Sequence, residues 1–188
     1  MAGRDPLFTK VLVANRGEIA VRIFRTLREL GIGTVGVYSE ADRGRLHALR
    51  ADEAYRIGPG PPGESYLCGD VVVETALRAG AQAVHPGYGF LAENAGFARL
   101  VEEAGLVWIG PPPAAIEAMG SKISARQRMH EAGVPIVPGT TEPVESVAEL
   151  RRVAGEIGYP LAIKASSGGG GKGLKIVQAE NDLERAFE

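Results

Sequence analysis

One pattern restricts the fold more than any other, and it recurs three times: an apolar repeat at helical spacing, then a glycine, then a short apolar run. Ile19, Ala20, Ile23, Phe24, Leu27 and Leu30 form the first repeat; Gly31 closes it ahead of Thr34-Val35-Gly36-Val37-Tyr38. Val71, Val72, Ala76 and Leu77 are closed by Gly80 before Ala81-Gln82-Ala83-Val84. Phe97, Leu100, Val101 and Ala104 are closed by Gly105 before Leu106-Val107-Trp108-Ile109. Glycine ends a helix at little cost because it accepts the left-handed backbone. With the run Lys10-Val11-Leu12-Val13-Ala14 as a first strand, the alternation predicts an α/β fold, a parallel sheet covered by helices on both faces.

In such sheets ligands sit beyond the carboxyl ends of the strands. Two polar segments take that position: Asn15-Arg16-Gly17-Glu18 after the first strand, and His85-Pro86-Gly87-Tyr88-Gly89-Phe90-Leu91-Ala92-Glu93-Asn94 after a later one. Gly31-x-Gly33-x-x-Gly36 spells a dinucleotide fingerprint but runs from helix to strand, the reverse of the required order.

Gly110-Pro111-Pro112-Pro113 is a stiff break, since proline removes donors and cannot continue a central strand. The domain boundary is placed just after it, giving 1–113 and 114–188. Beyond it come a short helix from Ala114 to Met119 and a second one led in by Gly120-Ser121-Lys122 and ended at Gly133. A third, capped by Ser146 with Glu149, runs to about Ile157 ahead of Gly158 and Pro160. The chain then enters an apolar strand carrying Lys164, a loop with glycine at 168, 169, 170, 171 and 173, and the strand-like Leu174-Lys175-Ile176-Val177.

A hairpin needs one or two glycines, and five ordered glycines cost about 2.5 to 5 kcal/mol relative to alanine. That excess favours a flap whose backbone N–H groups close over an anion, with Lys164 and Lys172 adding charge; the bland alternative is a surface hairpin. The loop is not a dinucleotide turn, because β-branched residues rather than a helix follow it. Nor is it a Walker loop, because Leu174 follows the last glycine, Gly173, where lysine and then serine or threonine would stand.

Composition sets outer limits. With 21 basic and 23 acidic residues, nothing marks nucleic acid or a membrane surface as the main partner. One cysteine, Cys68, excludes an internal disulfide and suits a reducing compartment; no apolar run approaches the ~18 residues of a membrane span, and the N-terminus lacks an apolar signal core. The cytoplasm is the default. His47, His85 and His130 are scattered, and no metal cluster is apparent.

Over nearly its whole length the sequence resembles the N-terminal part of biotin carboxylases, the ATP-grasp component of biotin-dependent carboxylases. The segments that carry the resemblance are Val13-Ala14-Asn15-Arg16-Gly17-Glu18-Ile19-Ala20, His85 through Leu91 with Glu93-Asn94, Ile109-Gly110-Pro111, Gly120-Ser121-Lys122, Ala132-Gly133-Val134-Pro135 with Pro138-Gly139, and Gly158 through Gly173. Each is weak by itself, and their order and spacing together are specific. The resemblance implies a Rossmann-like pre-ATP-grasp domain over 1–113 and the beginning of an α+β ATP-grasp domain, with its glycine-rich lid, over 114–188. It implies ATP-dependent carboxylation of biotin by bicarbonate through carboxyphosphate, with ATP, Mg²⁺ and carrier-borne biotin required. The implied partners are a biotin carboxyl carrier protein or domain, a carboxyltransferase component that selects the acyl acceptor, and a second copy in a homodimer.

By resemblance, Lys164 reaches the nucleotide, Lys122 approaches the phosphates, and Gly168, Gly169, Gly170 and Gly171 form the lid. Glu93 either faces bicarbonate or water at the mouth of the site or caps the helix that follows. His85 orients its own loop, and Asn15, Arg16 and Glu18 fix the loop after strand one. Arg22 and Arg25 match positions of the family's dimer contact or are a solvated helix face. The family's metal-binding carboxylates, bicarbonate-binding arginine and candidate base match no position here. The tail from Asp182 begins an amphipathic helix without a cap, so the chain is expected to continue, to be inactive as 188 residues, and to be poorly ordered after residue ~160. The alternatives are a carbamoyl-phosphate synthase or purine-pathway ATP-grasp ligase, or a nucleotide-binding fragment without turnover. A dinucleotide oxidoreductase is contradicted by the misplaced glycines.

Overall fold

Alternation along the first strand already requires two covered faces. In β1 (Lys10–Val13) and the residue after it, Val11 and Val13 point one way and Leu12 and Ala14 the other, and all four are buried. The structure is a computed structural model and describes residues 7–120, 122–140, 142–164 and 173–187. The chain divides into two compact units, 1–117 and 118–188.

In the first unit β1, β2 (Gly33–Ser39), β3 (Glu53–Gly58), β4 (Ala83–His85) and β5 (Val107–Trp108) make a wholly parallel sheet in the order β3-β2-β1-β4-β5. Val11, Val13 and Ala83 pack against Ala20, Ile23, Phe24 and Leu27 of α1 (Gly17–Glu29). On the opposite face Leu12, Val35, Val37 and Val84 meet Val72, Val73 and Ala76 of α3 (Gly69–Arg78) and Phe97, Ala98 and Val101 of α4 (Ala95–Glu103). Each large aliphatic buried here contributes roughly 1.5–3 kcal/mol relative to exposure. Ile116, in α5 (Pro113–Gly120), joins the same core.

The helix–glycine–strand pattern has a local cause. Gly31 takes φ +73°, which lets the Ile32 N–H turn back to the Leu27 carbonyl at 2.8 Å and close the last turn of α1. The same bond recurs from Ala81 to Ala76 at 2.9 Å and from Leu106 to Val101 at 3.1 Å. The inward stripe of α3 differs in detail from the sequence reading: Val73 is buried, whereas Leu77 is 52 % exposed. Two elements have no sequence counterpart, α2 (Leu46–Arg50) and β3. β3 is an edge strand that buries only Ile57 fully, so it shows no continuous apolar run.

In the second unit α6 (Lys122–Glu131) is followed by α7 (Val147–Ile157), the antiparallel pair β6 (Leu161–Lys164) and β7 (Leu174–Val177), and α8 (Leu183–Phe187). Ser146 caps α7 by accepting the Glu149 N–H at 3.2 Å. The Glu149 carboxylate reaches back to the Glu145 N–H at 3.1 Å, one residue earlier than in the usual capping box. Leu150, Ala154, Val177 and Leu183 are buried together, with Leu161 and Ile163 packed on them. Of the segment after residue ~160, where poor order is expected, the described residues form regular elements, and residues 165–172 lie outside the described residues. The hairpin's inner side is covered by α7 and α8, which are local partners.

Candidate active-site pocket

Strand order reverses between β1 and β4, and the segments leaving their carboxyl ends are the two polar segments noted in the sequence. A pocket of about 360 Å³ lies there, lined by Asn15, Arg16, Gly17, Glu18, Ile19, Tyr88, Gly89 and Phe90. This is the topological switch point at which doubly wound sheets bind ligands.

Asn15 joins the two loops. It is 3 % exposed; its Nδ2 donates to the Pro86 carbonyl at 2.7 Å and to the Tyr88 carbonyl at 2.8 Å, and its Oδ1 accepts the Arg16 N–H at 2.9 Å. Gly87 must be glycine for two reasons. It holds φ +68°, and a β-carbon there would lie 2.9 Å from Asn15 Nδ2. At the rim the Tyr88 hydroxyl donates to Glu18 Oε1, and that carboxylate raises the Tyr88 pKa. His85 accepts the Gly87 N–H on Nδ1 at 3.0 Å, and burial lowers its pKa, so a neutral imidazole holds its own loop. The expected loop-fixing roles of Asn15, Glu18 and His85 are thus visible as bonds.

Arg16 is held from another direction. Its Nε donates to Asp42 Oδ2 at 2.5 Å and its Nη2 to Asp42 Oδ1 at 2.6 Å, a bidentate pair. Those hydrogen bonds draw the Asp42 pKa down to about 2 and raise that of Arg16. Asp42 also accepts the Tyr66 hydroxyl at 2.6 Å, and burial together with that carboxylate pushes the Tyr66 pKa up to about 12. Neither Asp42 nor Tyr66 was singled out in the sequence. The available signal was positional: residues 40–42 follow the carboxyl end of β2, next to β1.

The pocket's guanidinium and carboxylate are both already bonded, so the lining offers shape and hydrogen-bonding edges rather than a free acid–base pair. Arg16, the N-cap residue of α1, has a side chain with donors only and makes no cap bond to the first-turn amides.

The other expected site residues lie elsewhere. Glu93 is exposed in the turn before α4 and is not among the residues lining the pocket. The cap of α4 is Asn94, whose Oδ1 accepts the Phe97 N–H at 2.9 Å, so the capping alternative for Glu93 is replaced by its neighbour. Arg22 and Arg25 are exposed on the outer side of α1. In the second unit Lys122 is the first residue of α6, with its side chain outside the described residues, and Lys164 ends β6 on its exposed face, opposite Leu174. Gly168, Gly169, Gly170 and Gly171 lie outside the described residues. Among the described residues no group of three or more His, Cys, Asp or Glu side chains could hold a metal ion, and no helix is long and apolar enough to cross a membrane.

Residues 7–116 match the family model for the biotin carboxylase N-terminal domain, and residues 121–188 match that for the ATP-binding domain of the carbamoyl-phosphate synthase L chain. The chain is 54 % identical to the mitochondrial methylcrotonoyl-CoA carboxylase subunit alpha of Dictyostelium discoideum, across 96 % of this chain and 26 % of that protein. It is 54 % identical to biotin carboxylase 1 of Bacillus subtilis, across 94 % of this chain and 39 % of that protein. Among solved structures, the biotin carboxylase domain dimer of Hydrogenobacter thermophilus 2-oxoglutarate carboxylase, in complex with MgADP, ADP and bicarbonate, superposes with a TM-score of 0.86 at 52 % identity. That match covers 96 % of this chain and 40 % of the other. The chain therefore spans between about a quarter and two fifths of the length of these relatives.

Proposed function

The chain belongs to the biotin carboxylase family, and from that premise we propose that the whole protein cleaves ATP to carboxylate biotin on a carrier protein with bicarbonate, through carboxyphosphate. The observation that carries this is the superposition, over 96 % of the chain, on a biotin carboxylase domain solved with MgADP and bicarbonate. Phosphoryl transfer to a poor nucleophile depends on positioning and charge neutralisation. In this reading the pocket at the β1 and β4 ends serves one of the small polar substrates, within a pre-ATP-grasp domain over 1–113. The ATP-grasp domain that begins at 114 supplies Lys164 to the nucleotide and Lys122 to the phosphates, each a compact charge suited to phosphate. Gly168, Gly169, Gly170 and Gly171 close over the nucleotide and keep water from an intermediate that hydrolyses readily. Glu93 faces bicarbonate or its attendant water.

Among the described residues no group of His, Cys, Asp or Glu side chains forms a magnesium site. Arg22 and Arg25, exposed on α1, contribute to a homodimer contact. The biotin carrier and a carboxyltransferase component are the partners, the latter choosing the acyl acceptor, and the cytoplasm is the working compartment. The 188 residues by themselves are proposed to lack turnover.

A second reading has one observation behind it, the match of residues 121–188 to a carbamoyl-phosphate synthase ATP-binding domain. Phosphate release by the whole protein, measured with bicarbonate and either free biotin or ammonia, separates the two. Release that needs bicarbonate and rises with biotin is expected; release that needs ammonia and ignores biotin overturns the proposal. ATP binding without any release would leave a nucleotide-binding protein, and turnover by the 188 residues alone would refute their proposed inactivity.

A further inference from the structure

Asn15 ties the two pocket loops directly, and Glu18 ties them at the rim. A third tie comes from a residue on neither loop. Tyr66 lies between β3 and α3 and is 2 % exposed. Its hydroxyl accepts the Ser39 N–H at 3.0 Å, where β2 ends, and donates to Asp42 Oδ2 at 2.6 Å. Both Asp42 oxygens hold Arg16, which leaves the guanidinium one orientation. The Tyr66 ring stacks on Phe90, with centroids 5.1 Å apart and planes 11° from parallel. Arg16 and Phe90 come from opposite loops, and both line the pocket. Phe90 also has φ +42°, a conformation unfavourable for an aromatic residue, so its turn depends on surrounding contacts to persist.

We infer that Tyr66 is the positioning residue of this pocket. Through its hydroxyl and Asp42 it orients Arg16, through its ring it seats Phe90, and it thereby sets the opening between them without touching a ligand. The consequence for substrate affinity rests on the proposed function; the coupling of the two loops does not.

The test uses the whole protein with Tyr66→Phe, which keeps the ring and removes both hydrogen bonds, and Tyr66→Leu, which removes the ring as well. Amide hydrogen exchange reads each loop separately, because the Arg16 N–H is bonded to Asn15, the Gly87 N–H to His85 and the Ala92 N–H to the Gly89 carbonyl. Tyr66→Phe is expected to speed exchange of the Arg16 amide about ten-fold while leaving the Gly87 and Ala92 amides near the wild-type rate. Tyr66→Leu is expected to speed both, and the central strand β1 should stay protected in either variant. Unchanged loops in Tyr66→Phe, or acceleration spread evenly through β1 and α4, would make Tyr66 an ordinary core residue and overturn the inference. If Tyr66→Leu does not fold, the Tyr66→Phe contrast between the two loops still decides.

In steady state, Tyr66→Phe should raise the KM for bicarbonate or for free biotin about five-fold and leave the KM for ATP unchanged. An equal rise in the KM for ATP, or an effect on kcat alone, would overturn the link from loop coupling to pocket shape. Wild-type protein without biotin-dependent turnover would refute the proposed function, while the exchange comparison would still stand or fall by itself.

Discussion

Replacing Asn15 by alanine probes the switch-point pocket at its centre. The amide group makes three hydrogen bonds, to the Pro86 and Tyr88 carbonyls at 2.7 and 2.8 Å and from the Arg16 N–H at 2.9 Å, and the residue is 3 % exposed. At a net value near 1 kcal/mol for each bond, the loss is about 3 kcal/mol. The first unit carries its own reporter, since Trp108 is the single tryptophan and is 6 % exposed in β5. Urea unfolding followed by its fluorescence, with a slope of about 2 kcal/mol per molar, should show the midpoint falling by about 1.5 M. Asn15→Asp sharpens the test, because it is nearly isosteric and turns the donor into a carboxylate oxygen facing two carbonyls. Its loss is expected to exceed that of Asn15→Ala. A midpoint shift below about 0.3 M for the alanine variant, or wild-type stability for the aspartate variant, would refute the argument that this amide joins the loops.

Two further outcomes follow from other bonds. Asp42 has a folded pKa of about 2, below its ordinary 3.8, because of its hydrogen bonds to Arg16. A depressed acid stabilises the fold above its unfolded pKa and loses that contribution as pH falls towards the folded value, so about 2 kcal/mol should disappear between about pH 5 and pH 2. Asp42→Asn should start less stable at neutral pH and lose correspondingly less in acid; parallel pH profiles for the two proteins would contradict this assignment. In the second unit, Ser146→Ala removes the N-cap bond to the Glu149 N–H and should cost about 1 kcal/mol, read as faster amide exchange in the first turn of α7. Unchanged exchange there would mean the cap is dispensable.

The features legible in the amino-acid order are those closed within a few residues. The apolar period of α1, the bond that Gly31 permits from Ile32 to Leu27, and the Ser146 cap of α7 each involve partners at most one or two turns apart. Such signals identify elements and their order, and repeated helix–glycine–strand units leave little choice but a parallel sheet. The polar segments after β1 and β4 were legible for the same reason, because position at a strand's carboxyl end is a local property. Tertiary structure alone decided which strands neighbour one another, that the modest edge segment 53–58 pairs with β2, and how the pocket is held. Asn15 meets the loop of Pro86 across 71 positions, Arg16 meets Asp42 across 26, and Tyr66 meets Asp42 across 24. No periodicity or propensity encodes those pairings. They arise when packing brings the ends of β1, β2 and β4 together and excludes water, and buried polar groups there must find partners among whatever side chains the fold has delivered.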